Sequence, residues 1–350
     1  MEGVPNHIAA GDIELADRTL NAMGVTDSGY RGVGWSVQLL DQLRDLPQER
    51  RRSLARSLVE RYHRIEDASE FRTRTLLLAG ILAADLPEDP LSAERVEVLD
   101  DLGECHSFWY EEHFSVLVEA ELAAGRSLTP AATAAFRRSG MEYGSPAAPL
   151  GRAGEKPTDP VLNVGEKWAE RAMEQVGPGP DDPWRALLAH ALTATSAKPS
   201  AKWDRLARQL VEPLGPELVR EKVVSWFALV GVPRTFRVKP VFCEDRHFNE
   251  VFDPYNALAL RGLAWLLSLL PPHSDAARAI GALVETSLKK VPGRGPRSAK
   301  VAHAGALALG RVDSEPALAE LDRLAARVTH KGTAKVIATA LEAHTRLPLV

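Results

Sequence analysis

Apolar residues recur at helical spacing along almost the whole chain, and this periodicity excludes most other architectures. In residues 48–66, Leu54, Leu58, Tyr62 and Ile65 fall on one stripe. Such a stripe predicts an amphipathic helix packed on a core, whereas the apolar-polar alternation of a half-buried strand is nearly absent. The chain is therefore predicted to be all-α, without a parallel sheet.

Residues that favour helix ends divide this pattern into separate helices. Thr129 is placed as an N-cap before Pro130 at the first helical position, and Ser274 and Ser314 are predicted N-caps. The approximate helices span 11–23, 35–46, 48–66, 69–84, 92–103, 105–124, 129–138, 163–176, 183–196, 200–213, 216–230, 254–270, 274–290, 296–311, 314–328 and 332–346.

A stretch dense in glycine and proline divides these helices into two groups. Residues 1–140 form a predicted acidic helical segment, 141–160 a linker or long surface loop, and 161–350 a second helical array. The net charge is −11 over residues 1–130 and +5 over residues 281–350. Codon bias explains the Arg-only first third, and docking of the basic end on an acidic partner is the alternative.

The second array has internal spacing typical of repeats. Similar apolar segments begin at 256, 299 and 334, so their offsets are 43 and 35 residues. These offsets bracket the period of HEAT and armadillo helix pairs, which bury their apolar faces by stacking on neighbouring pairs. A right-handed HEAT/armadillo-like solenoid with a long concave surface is therefore predicted. Its core is predicted to contain at least two of the three tryptophans Trp203, Trp226 and Trp265.

Three segments carry a resemblance to a known group of proteins. Residues 196–231, 256–270 and 289–310 are similar to the helical-repeat region of large bacterial proteins loosely called molybdate-metabolism-regulator-like, which often carry a WGR module. The resemblance covers roughly 183–346, and neither the first 160 residues nor a WGR-type sequence takes part. It implies a helical-repeat fold and assigns no catalytic residues.

The stretch KKVPGRGPRSAKVAHAGALALG, residues 289–310, contains the principal candidate site. Its two glycines are too close together for a phosphate-binding P-loop, and a helix instead of a strand precedes them. The basic residues before a helix start predict a site for an acidic protein or phosphate, and a solvated turn between helices is the alternative. The candidate anion- or partner-binding residues are Lys289, Lys290, Arg294, Arg297, Lys300, Lys331 and Lys335.

Metal and catalytic signals are weaker than this basic patch. One irregular loop contains several residue types that can bind a metal ion. The spacing Glu-x-x-His, which occurs in di-iron proteins, is found at Glu60/His63 and at Glu244/His247. Chance accounts for such pairs, and no nucleophile motif is present. No metal, cofactor or catalytic residue is predicted, although a site at the loop stays open. The residues of that loop are Cys243, Glu244, Asp245 and His247, a mixed set suited to zinc. Separately, a di-iron centre built on the Glu-x-x-His pairs could take Glu111 or His113 as a further ligand.

These observations favour recognition over catalysis. The expected function is a non-catalytic scaffold or adaptor that holds a protein or peptide with acidic groups; the alternative is an enzyme or enzyme-associated subunit. The pI of 6.2 disfavours a dedicated nucleic-acid binder. A cytoplasmic protein with reduced cysteines is expected, because the N-terminus lacks a signal-peptide pattern and the apolar stretch 257–270 is too short to span a membrane.

Overall fold

The computed structural model of the chain is all-α apart from one short hairpin. It describes residues 10–22, 37–66, 70–83, 86, 91–107, 117–122, 124–143, 160–177, 179–240 and 247–345. The fold class predicted from periodicity is confirmed at this level. No helix in these ranges combines the length and the apolar character needed to cross a membrane. The chain forms two compact units, Met1–Glu155 and Lys156–Val350. Most of the predicted linker, residues 144–159, lies outside the described ranges.

Unit 1 packs its helices around leucines and alanines. Its helices are α1 (Ala10–Ala22), α2 (Val37–Arg44), α3 (Gln48–Arg64), α4 (Glu70–Ala83), α5 (Ser92–Gly103) and α6 (Pro130–Tyr143), and residues 117–122 are helical as well. The predicted stripe of α3 points inward, since Leu54, Leu58 and Tyr62 are buried against α4. Of the predicted helix 105–124, residues 105–107 are not helical.

Unit 2 contains the remaining helices. They are α7 (Lys167–Met173), α8 (Pro183–Leu192), α9 (Ala201–Val211), α10 (Pro216–Phe227), the 3-10 helix Phe248–Glu250, α11 (Pro254–Leu267), α12 (Ser274–Leu288), α13 (Ala299–Gly310), α14 (Glu315–Arg327) and α15 (Lys331–Thr345). In one row, α8, α11, α13 and α15 contact each other in succession; in a second row, α10, α12 and α14 do so. The rows share one apolar core.

The tryptophans of unit 2 form the interior of this core, as predicted for three of them. Trp226 and Trp265 are almost completely buried, and Trp203 is 9% exposed. Trp203 meets Trp265 edge to face at 5.4 Å between ring centroids, and Trp184 meets Trp226 in the same way at 5.5 Å. Such edge-to-face pairs add to the free energy gained by burial.

The helix ends test the capping predictions directly. Thr129 Oγ1 accepts a hydrogen bond from Ala132 N at 3.3 Å, and Ser314 caps α14, so both predictions are confirmed. The prediction for Ser274 is wrong, because Ser274 is the first residue of α12 and His273 is its N-cap. The imidazole Nδ1 of His273 accepts from Asp275 N at 3.1 Å and replaces the hydroxyl that the sequence pattern suggested.

Candidate functional site

The connection between α12 and α13 is a β-hairpin. Strands β1 (Lys290–Val291) and β2 (Gly295–Pro296) pair antiparallel, with Val291 opposite Gly295. The turn between them closes with a bond from Arg294 N to Val291 O at 3.1 Å. Gly293 and Gly295 have φ values of 72° and 85°, which residues with a Cβ rarely adopt. Both glycines therefore serve the turn, and the hairpin fixes the direction of the basic side chains.

A groove of about 560 Å³ lies beside this hairpin. Lys289 and Lys290 line one side of it, and Lys331, the first residue of α15, lines another. Leu288, Pro296 and Val328 add apolar surface to the same groove. We call this feature the basic groove. It brings together three residues of the predicted site that are up to 42 positions apart in sequence.

The ion pairs around the basic groove leave its lysines unneutralised. The groove contains a single carboxylate among its lining residues, Glu285, whose Oε1 lies 2.8 Å from Arg323 Nη1 and 3.4 Å from Arg327 Nη1. Glu285 is thus already neutralised by arginines. Within the described residues, Lys289, Lys290 and Lys331 are exposed and have no acidic partner. The groove consequently carries a positive charge that is balanced only by solvent ions.

Histidines stand where α15 begins, at the edge of the basic groove. His330 Nδ1 accepts a hydrogen bond from Thr333 N at 3.3 Å and so caps the helix. Its ring lies 5.8 Å from that of His303, centroid to centroid. Burial lowers the pKa of His303, and the neighbouring His330 lowers it further. The neutral form of His303 is therefore favoured.

The other predicted site residues do not line this groove. Arg294 is exposed in the hairpin turn, and Lys300 and Lys335 are exposed on the first turns of α13 and α15. Arg297 points elsewhere: its Nη1 donates to Gly231 O at 3.0 Å, on the side of a separate cavity. Of the seven predicted residues, Lys289, Lys290 and Lys331 thus line the basic groove, and Arg297 lines the separate cavity.

Hydrogen bonds occupy several backbone N–H groups at the start of α13. Arg297 N donates to Lys289 O at 3.0 Å, and Ser298 N donates to Ser287 O at 2.9 Å. Val301 N is capped by the Ser298 hydroxyl at 3.4 Å. The amides of Ala299 and Lys300, the first two residues of α13, have no partner within the helix and stay available to the predicted helix-start site.

A buried polar network, not anticipated as a site, links the start of unit 2 to α11. Asn256 Oδ1 accepts from Asn163 N at 2.8 Å, while its Nδ2 donates to Asn163 O at 3.0 Å and to Glu166 Oε2 at 2.9 Å. Asp253 caps α11 and also accepts from Asn163 Nδ2 at 3.1 Å. Asn256 is thus bonded to residues about 90 positions earlier in the chain, and these partners have no recognisable sequence signal.

The remaining candidates do not assemble a metal centre in the described ranges. Across those residues, no group of three or more His, Cys, Asp or Glu side chains is placed to hold a metal ion. His63 Nε2 lies 2.8 Å from Glu94 Oε1 in an ordinary surface contact. Of the loop candidate, only His247 is described, and it contacts Glu250. Its other three members, Cys243, Glu244 and Asp245, lie outside the described residues, as do Glu111 and His113.

Comparison with protein families, with curated proteins and with solved structures finds no match for this chain. The resemblance to the helical-repeat region of molybdate-metabolism-regulator-like proteins therefore stays a prediction. Function has to be argued from the groove and its charges.

Proposed function

We propose that this protein is a non-catalytic scaffold or adaptor that holds an acidic segment of a partner protein in the basic groove of unit 2. The main support is the charge balance: three exposed lysines, Lys289, Lys290 and Lys331, surround a groove whose one lining carboxylate is already paired with arginines. An acidic peptide supplies the missing negative charges, and complementary charge accelerates and orients such encounters.

The apolar part of the groove suits a peptide better than a free ion. Leu288, Pro296 and Val328 offer surface to one apolar side chain of the bound segment, so that its acidic neighbours reach the lysines. Buried apolar contacts supply most of the affinity at interfaces, while charges at the rim supply rate and specificity. The preferred segment therefore alternates acidic residues with at least one aliphatic residue.

Nucleic acid fits the basic groove less well than an acidic peptide does. Binders of single strands stack bases on aromatic side chains along a positively charged channel. Among the described residues, the groove lining has His330 as its one aromatic ring and includes no Phe, Tyr or Trp. Phosphate contacts alone leave only weak, salt-sensitive binding.

The wider architecture of unit 2 supports the scaffold interpretation. Its helices contact each other in two rows over a shared core, which is compatible with a HEAT/armadillo-like solenoid. We infer a right-handed solenoid from this packing together with the repeat spacing. In such arrays each helix pair contributes ends to one edge, and the basic groove lies between the ends of α12, α14 and α15.

Two double variants that each remove two lysine charges, one inside and one outside the basic groove, test this function. Fluorescence anisotropy measures the binding of a labelled oligoglutamate peptide with an internal leucine, and an oligothymidine of equal charge serves as competitor. The double variant Lys289→Ala/Lys331→Ala is expected to weaken peptide binding about tenfold. The control Lys198→Ala/Lys202→Ala removes two exposed charges outside the groove and should bind as the wild type does. Equal losses in both variants, or tighter binding of the oligothymidine, contradict the proposal.

A further inference from the structure

Arg234 is the least satisfied ionic group described in unit 2. It lies in the loop that follows α10, and its Nε, Nη1 and Nη2 atoms are all enclosed by protein. None of the three nitrogens has a hydrogen-bond partner among the described residues. A guanidinium that leaves water without gaining acceptors destabilises the fold unless something else supplies them. A ligand that supplies hydrogen-bond acceptors to Arg234 would therefore stabilise the fold.

Glu166, a buried carboxylate whose charge interacts with that of Arg234, is held by other donors. Its Oε1 accepts from Asp253 N at 3.1 Å, and its Oε2 accepts from Asn256 Nδ2 at 2.9 Å and Trp168 Nε1 at 3.2 Å. Burial raises the pKa of Glu166, with the charge of Arg234 opposing this and that of Asp253 reinforcing it. Glu166 thus belongs to the network with α11 and gives Arg234 no direct bond.

Arg234 borders a cavity that is rich in further cations. The cavity measures about 230 Å³, and the cationic side chains around it are Lys167, Arg234, Arg237 and Arg297. We call it the arginine cavity. Its lining carboxylates are Glu166 and Glu250, and the latter lies 2.7 Å from His247 Nδ1. Among the residues that the structure describes, cations outnumber carboxylates around the cavity, so these residues attract an anion.

The loop that carries Arg234 is fastened on both sides. Thr235 N donates to Gly165 O at 3.1 Å, and the Thr235 hydroxyl donates to Glu170. Asn249 holds Val238 through two bonds, accepting from its N at 3.0 Å and donating to its O at 2.9 Å. A loop held in this way keeps the arginines near each other before any ligand arrives, which reduces the entropy lost on binding.

We propose that the arginine cavity binds a compact oxyanion of the phosphate class, with Arg234, Arg237 and Arg297 as its ligands. The volume is smaller than the roughly 300–1,000 Å³ of sites for drug-sized molecules, so a single charged group fits better than a large ligand. A guanidinium binds two phosphate oxygens at once, and several guanidinium groups favour a doubly charged anion. Arg234 lines the cavity, and rotation about its Cβ–Cγ and Cγ–Cδ bonds between staggered rotamers turns the guanidinium into it.

Calorimetry and thermal unfolding of the full chain test this site. The probes are inorganic phosphate and glycerol phosphate, titrated against chloride at constant ionic strength. Saturable binding with a rise in the unfolding midpoint is expected for at least one of them. Tighter binding of the ester identifies a phosphate monoester as the ligand, and equal or weaker binding identifies free phosphate.

Two substitutions and a control separate the site from general charge effects. In the absence of phosphate, Arg234→Met is expected to unfold at a higher temperature than the wild type, because the substitution removes an unpaired buried charge. Addition of phosphate should no longer raise the unfolding midpoint of this variant. Arg237→Gln, at an exposed side chain, should weaken binding about tenfold with no change in the phosphate-free midpoint. The control Arg278→Gln alters an exposed arginine that pairs with Asp275 and should bind as the wild type does.

Several results overturn the inference. One is the absence of saturable binding of either probe below about 10 mM. Two further contradicting results are phosphate binding by Arg237→Gln as tight as that of the wild type, and a loss of binding in Arg278→Gln equal to that in Arg237→Gln. Both measurements can be made even if Arg234→Met does not fold. The site is independent of the basic groove, so Lys289→Ala/Lys331→Ala should bind phosphate normally even if the proposed peptide binding fails.

Discussion

Gly262 of α11 lies against the backbone of Ala191 in α8, so closely that a Cβ on the glycine would stand 2.2 Å from the Ala191 carbonyl oxygen and 2.5 Å from its Cα. Neighbouring atoms are not found at such distances. The two helices therefore approach each other at a point where only glycine fits. This contact joins α8 to α11 within the first row of unit 2.

Gly262→Ala should destabilise unit 2 by about 3 kcal/mol, because backbone cannot move aside as a flexible side chain can. Urea unfolding followed by tryptophan fluorescence measures this, since Trp168, Trp184, Trp203, Trp226 and Trp265 all belong to unit 2. The control is Gly179→Ala, where a Cβ would meet nothing within 4 Å. Equal stabilities of the two variants would show that the helices do not approach as described.

The buried network around Asn256 predicts a second large effect. Asn256→Ala removes the hydrogen bonds to both backbone groups of Asn163 and one bond to Glu166, and it leaves those partners buried without replacement. A loss of about 3 kcal/mol is expected. The same fluorescence transition reports it.

A matched comparison is available at Asn249. Asn249 also forms hydrogen bonds to the backbone N–H and C=O of one residue, Val238. Because Asn249 is only half-buried, water can replace part of these hydrogen bonds when the side chain is removed. Asn249→Ala should therefore cost about 1 kcal/mol. A loss at Asn256 no larger than that at Asn249 would mean that burial of the network contributes little.

The sequence predicted the local structure of this chain well where a local signal existed. Thr129, Pro130 and Ser314 mark helix starts because capping depends on groups within three or four residues. The same reasoning failed at Ser274, where an imidazole one residue earlier took the capping role. Helical periodicity likewise placed Trp226 and Trp265 in the core.

Long-range groupings could not be predicted in the same way. The two-residue strands of the hairpin are too short to show any period, so the basic stretch was expected to act as one patch. Arg297 instead lines a different cavity from Lys289 and Lys290, although its backbone N–H bonds to the Lys289 carbonyl. Arg234 and Glu166 are likewise brought near one cavity only by the folding of unit 2, and neither stands in a motif.

His190 makes the stability of unit 2 depend on pH. Its ring stacks on Trp203 at 4.4 Å between centroids, and its Nε2 lies 3.1 Å from the Trp203 carbonyl oxygen. Burial lowers the pKa of His190 below its ordinary value of 6.5, and the hydrogen bond to Trp203 opposes this only in part. The unfolded chain thus binds a proton at a higher pH than the folded chain does, so stability is complete above pH 6.5 and falls as the pH decreases below it.

The unfolding midpoint of the wild type should accordingly be lower at pH 5.5 than at pH 7.5, on either side of the ordinary pKa of about 6.5. His190→Gln keeps an N–H donor near the Trp203 carbonyl but does not titrate, so its midpoint should change less over the same interval. His303→Gln should reduce the dependence too, since burial also lowers the pKa of His303. Identical pH profiles for the wild type and His190→Gln would contradict this origin.

Unit 1 depends on a buried carboxylate in a comparable way, and the proton linkage has the same sign at a lower pH. Glu121 is 4% exposed at its side chain and lies 2.6 Å from Arg95 Nε and 2.8 Å from Arg126 Nε. Burial alone would raise the pKa of Glu121, but hydrogen bonds from Arg126 and Arg95 outweigh it and hold that pKa below its usual value. The stabilisation is present above the ordinary pKa of 4.5 and is lost as the pH falls below it.

Glu121→Gln should destabilise unit 1 by about 3 kcal/mol, because it removes the buried negative charge that lies 2.6 Å from the Arg95 guanidinium. Glu60→Gln is the matched control: it breaks an Arg–Glu pair whose side chains are 74% and 68% exposed, and such a pair contributes about 0.5 kcal/mol or less. Hydrogen exchange followed by mass spectrometry measures both changes in peptides that cover α5 and α6. Faster exchange in Glu121→Gln alone is the expected result, whereas equal exchange in the two variants would show that the Arg95–Glu121 pair is no more important to unit 1 than a surface ion pair.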